Sequence, residues 1–80
     1  MQATKKITSG TVTVLDNVDY IQNISSKIMR VAIVPFVDTD GNKVKGLKLL
    51  PNQTYEPRIV GSTVYVKTNA SSGNIEVIYA

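Results

Sequence analysis

The chain has 80 residues, no cysteine, no histidine and a net charge of +3, from nine Lys and Arg against six Asp and Glu. A chain this short makes one domain with a thin core, because it buries only roughly 60% of its unfolded surface. Its residue content excludes disulfides, zinc held by Cys or His, and nucleophilic catalysis by a Ser-His or Cys-His pair. The mild basic excess favours solubility and slightly favours an anionic partner.

Val, Ile, Thr and Tyr set the local preferences, and turn residues recur every eight to twelve positions. This rhythm predicts an all-β fold, a small antiparallel β-sandwich or barrel of six to eight short strands. The opening "MQATKKITSG" is polar and unpatterned, so residues 1–10 are expected to form a flexible N-terminal arm that orders on contact with a partner. Residues 11–80 are expected to form a single β-sandwich domain. No apolar run follows the two N-terminal lysines, so no secretory signal is expected. No stretch is apolar for the ~18 residues of a membrane-spanning helix. Three N-x-[ST] sequons, at Asn23, Asn52 and Asn69, are read as by-products of high Ser, Thr and Asn usage.

The first strand is "TVTVL", Thr11 to Leu15, with Val12 and Val14 on one face. After a turn at Asp16-Asn17 comes "VDYIQNI", in which Val18, Tyr20 and Ile24 share one face, and Asp19, Ile21 and Asn23 the other. "IMRVAIV", Ile28 to Val34, is apolar on both faces except at Arg30, the pattern of a strand in the sheet centre with both faces covered. Then "FVDTDGNKVKG" raises the question of a calcium loop. Lys43 stands where the ligand pattern from Asp38 needs glycine, and Leu49 where it needs an acid. Asp40-Gly41 between apolar runs instead marks a hairpin tip over Asp38–Lys43. Val44 and Leu47 lie on opposite parities around Gly46, which places a bulge or bend there. "PNQ" turns the chain into "TYEPRIV", an edge strand because Pro57 cannot donate a ladder hydrogen bond. "TVYVKT" points Val64 and Val66 inward. "IEVIYA" closes the sequence with Ile75, Val77 and Tyr79 on one face and Glu76 and Ile78 on the other.

The acids pair conceivably as Asp16 with Asp19, Asp38 with Asp40, or Glu56 with Glu76. All sit in predicted turns or on polar strand faces, where solvated acids outnumber general acids and bases. No Gly-rich phosphate loop precedes a helix. No enzyme, metal or cofactor is therefore expected. Nucleic-acid binding has more to support it: Tyr65 and Lys67 share an outward face that Lys45, Lys48 and Arg58 could join. Five aromatics in all, with Tyr20 and Tyr79 assigned to the core, argue against it. It remains the alternative, a small β-barrel binding single-stranded nucleic acid through a Lys/Tyr strand face.

Three stretches, "IQNISSKIMRVAIV", "GLKLLPNQTYEP" and "GSTVYVKTNASSGNIEVIYA", carry a resemblance. In order they give an "x-N-x-S" strand end, an "L-x-P-N" turn, a "T-V-Y-V" strand and a Ser/Gly-rich tip before a final apolar strand. Over Ile21 to Ala80 this layout resembles small β-sandwich structural proteins of tailed-bacteriophage virions, of the capsid decoration, cement or head-fibre type. The resemblance implies a non-enzymatic role that decorates or stabilises a capsid, or joins a head or tail accessory structure. Its partners would be the chain itself and the major capsid protein or another virion protein, with nucleic acid and membrane not expected. Its location would be the virion, after assembly in the host cytoplasm. The two-faced strand Ile28–Val34 and the outward Ile78 point the same way, because a second subunit would cover the second face. Met29, Arg30, Val31, Ile33 and Ile78 are the candidate interface residues, with a trimer favoured by analogy.

Overall fold

The computed structural model describes residues 2–37, 41, 43–69 and 75–80. It contains β1 (Ala3–Lys6), β2 (Thr13–Val18), β3 (Ile21–Asn23), β4 (Met29–Ala32), β5 (Leu47–Leu49), β6 (Thr54–Tyr55), β7 (Ser62–Lys67) and β8 (Glu76–Tyr79). There is no helix among the described residues. The strands form two four-stranded antiparallel sheets, in the orders β1-β8-β3-β6 and β2-β7-β4-β5. The chain is therefore an open sandwich and not a closed barrel. Both sheets contribute to one core, with Ile21 and Val77 on one side and Leu15, Met29, Val31, Leu49, Val64 and Val66 on the other.

Several elements follow the sequence pattern. β7 alternates as expected, with Val64 and Val66 fully buried. In β8 and just before it, Ile75 and Val77 are buried and Tyr79 packs against the core. β4 is an interior strand between β7 and β5, and β6 is an edge strand. Gly46 takes a φ of 73° just before β5, the bend expected there.

Other elements differ. The N-terminal segment is not a free arm: Ala3 to Lys6 pair with Tyr79 to Glu76, and Ile7 is buried. All four β1 side chains are exposed, so backbone hydrogen bonds and not side-chain alternation seat the strand. Around β2 the face that Val12 and Val14 share is the outward one. Leu15 and Val18 are buried while Val12 and Val14 are exposed. Residues three apart both point inward because the register shifts between them, with Asn17 at a φ of 55°. Between Val18 and Ile21 the chain passes from one sheet to the other, and Ile21 and Asn23 are buried while Tyr20 is half-buried and Ile24 exposed.

Asn23 looks like a surface residue in sequence and is fully buried. Its Nδ2 donates to the carbonyls of Lys27 at 2.6 Å and Leu49 at 3.1 Å. Its Oδ1 accepts from the Ser25 amide at 2.9 Å and the Ser25 hydroxyl at 2.6 Å. Asn23 lies in one sheet and Leu49 in the other, so one amide ties the sheets where the chain crosses between them. The "x-N-x-S" strand end is thus a fully satisfied buried polar knot, and Asn23 is closed to glycosylation in the folded chain.

Candidate functional site

β4 carries the outer surface that distinguishes this sandwich. Met29 and Val31 point into the core, so Arg30 and Ala32 point outward. Arg30 stands opposite Lys48 of β5 and Lys67 of β7. Three cations therefore line up across three adjacent strands. They line a concavity of about 470 Å³, together with Lys27, Ser26, Ile28, Met29, Thr68 and Asn69. Like charges directly opposite one another destabilise a sheet. No carboxylate among the described residues lies within 4.0 Å of Lys27, Arg30, Lys48 or Lys67.

At the other end of β4 the surface is apolar. Ala32 is buried although it faces outward, and Phe36 is buried outside the main core cluster. The Lys67 ammonium lies 4.3 Å from the centre of the Phe36 ring, a cation–π contact that holds both in place. Gly46 makes room for that ring: a Cβ there would stand 2.7 Å from Phe36 Cε1 and 2.9 Å from the Val31 carbonyl oxygen. The chain thus covers part of the second face of β4 itself, through the Phe36 ring. The amide of Val44 donates to the Phe36 carbonyl at 2.7 Å and Val37 bridges Lys43, so the flanks of the expected hairpin pair. Gly41 has a φ of 82°, but Asp38, Thr39, Asp40 and Asn42 lie outside the described residues.

Beside this cover is a groove of about 340 Å³ lined by Val31, Ala32, Ile33, Val34, Val44, Gly46, Leu47 and Tyr55. No charged side chain is among them. Tyr55 comes from one sheet and Leu47 from the other, so the groove is a mouth into the sandwich at the β5–β6 edge. Around it Ile33, Val34 and Leu47 remain 48%, 47% and 58% exposed.

The five candidate interface residues do not form one patch. Met29 and Val31 are buried and point into the core, reaching the surface only as part of the floor of the basic concavity and of the apolar groove respectively. Arg30 belongs to the cation row and Ile33 to the apolar mouth. Ile78 is half-buried on the outer face of the other sheet, alternating with Val77 and Tyr79. Of the residues proposed for a nucleic-acid face, Lys48 and Lys67 line the basic concavity, while Lys45 and Arg58 are exposed elsewhere and Tyr65 is opposite Ala32. Lys27 and Arg30 complete the concavity and were not legible as part of it, because only the register brings them to Lys48 and Lys67. Phe36 was also missed, although a lone Phe in "VPF" beside a two-faced strand is a usable signal.

The acids show no assembled chemistry. Asp16 accepts a hydrogen bond from Thr63 Oγ1 at 3.1 Å, Asp19 and Glu56 are exposed, and Glu76 is half-buried. Among the described residues no group of three or more His, Cys, Asp and Glu could hold a metal ion. Comparison with family models, with curated proteins and with solved structures finds no match.

Proposed function

We propose that this chain is a non-enzymatic structural protein of a bacteriophage virion, which decorates or stabilises the capsid or joins a head or tail accessory structure. It acts by associating with itself and with the shell. The observation that carries this reading is the apolar mouth at the β5–β6 edge, where Ile33, Val34 and Leu47 surround an uncharged groove that opens on the core. A thin sandwich gains by having that mouth covered, and β5, at the edge of its sheet, offers unpaired backbone groups beside it. The sequence layout over Ile21–Ala80 supports the virion assignment, and a trimer suits local threefold sites of a capsid by analogy.

A second reading, binding of a single nucleic-acid strand, is favoured by the cation row alone. Such binders stack bases on aromatic rings, and no aromatic ring lines the basic concavity. Sedimentation equilibrium over a wide concentration range tests the first reading. A discrete closed oligomer is expected, and its loss in Leu47→Asp, a change at a side chain already 58% exposed, would locate the contact. A chain that stays monomeric at every concentration and ignores capsid shells would overturn it.

A further inference from the structure

We infer that the concavity formed by Lys27, Arg30, Lys48 and Lys67 is a binding site for a compact phosphate-bearing anion. The first observation is register. Lys48, Arg30 and Lys67 are direct cross-strand partners on β5, β4 and β7, so the fold fixes three positive charges side by side on one face. The second is that none of the four cations has an ion-pair partner among the described residues. The third is shape. The concavity of about 470 Å³ has the volume of a small-ligand site.

The chemistry selects phosphate over other anions. The cations form a cluster across the strands, not a track along one strand, so they match an anion that concentrates charge on a few atoms. A phosphate carries up to two charges on three oxygens, whereas carboxylates on an extended peptide are spread along the chain at single charge. Arg30 sits in the middle of the row, and a planar guanidinium can grip phosphate oxygens in bidentate fashion. Lys67 is pre-positioned by its contact with the Phe36 ring. Ser26 and Asn69, exposed at the rim, supply neutral donors. Base recognition is not implied, because the walls hold no aromatic ring.

The probe is inorganic tripolyphosphate, measured by calorimetric titration and by thermal shift on the purified full chain at low salt. Binding with a rise in Tm is expected, weakening as salt increases. Arg30→Gln should weaken binding roughly tenfold or more, the loss of one bidentate charge-assisted contact. Lys5→Gln, on β1 of the other sheet, removes the same charge and should change affinity by about twofold or less if screening governs distant charges. Far-UV circular dichroism on each variant checks the fold, and Lys48→Gln repeats the test at an exposed side chain. A single-stranded oligonucleotide that competes in an Arg30-dependent way would identify a nucleic-acid backbone as the phosphate source. Failure to compete would identify a small phosphate compound. The inference is overturned if tripolyphosphate does not bind, if Lys5→Gln weakens binding as much as Arg30→Gln, or if a glutamate-rich peptide binds more tightly through Arg30.

Discussion

At the Met29–Arg30 end of β4 four cations line a concavity; at the Ala32 end lie a buried Phe ring and an uncharged groove. Both ends belong to one four-residue strand whose inward residues, Met29 and Val31, join the same core, so the core does not decide the difference. What differs is how the second face is finished. At the apolar end the Phe36 ring packs beside Gly46 and Lys67, while Ile33, Val34 and Leu47 around the groove stay exposed. At the basic end no carboxylate among the described residues pairs with the row, and the concavity is open. A thin sandwich therefore leaves two unfinished surfaces of opposite character, one suited to protein and one to an anion.

The two ends can be broken separately. The largest effect is expected from Asn23→Ala, which removes the amide that fixes the Lys27 carbonyl at the basic end and the Leu49 carbonyl of β5. Losing both donations and leaving the buried Ser25 amide without its acceptor should cost about 3 kcal/mol or more, read as a lower urea midpoint with an unchanged slope. Gly46→Ala breaks the apolar end. It forces a positive φ on a side chain and drives Cβ against Phe36 and the Val31 carbonyl, for a loss of roughly 2 kcal/mol or more. Gly41→Val should cost only about 1 kcal/mol, because Gly41 has the positive φ with nothing within 4 Å of its Cβ. Equal losses at the two glycines would show that Phe36 does not pack where the structure places it. The smallest effect is Arg30→Gln, which relieves like-charge repulsion across the row. At low salt it should raise stability by a few tenths of a kcal/mol, with the gain fading as salt rises.

How much of this was legible in the sequence depends on what seated each strand. Where side-chain alternation did so, as in "TVYVKT" and "IEVIYA", the inward residues follow from the pattern. The same reasoning placed β4 inside its sheet and a bend at Gly46. Where the backbone did so, the pattern was silent: β1 buries none of its side chains and reads as an arm. In β2 Leu15 and Val18 both face inward because one extra residue enters the strand between them, a register shift that leaves no mark in hydropathy. Asn23 misled for another reason, since a buried, fully bonded amide looks like surface. The candidate site was half legible. A two-faced apolar strand signals a second contact, but the sequence could not show that Met29 and Val31 spend their apolar surface inside. Nor could it show that Arg30 lines up with Lys48 and Lys67, because that row depends on pairing between strands distant in the chain.

We propose that the apolar end of β4, and not the basic end, is the surface through which this chain associates. Sedimentation equilibrium of the native chain, Leu47→Asp and Arg30→Gln side by side tests it most directly. The native chain and Arg30→Gln should form the same oligomer, and Leu47→Asp should sediment as a monomer. An oligomer that survives Leu47→Asp and dissociates in Arg30→Gln would contradict the claim and move the interface to the cation row.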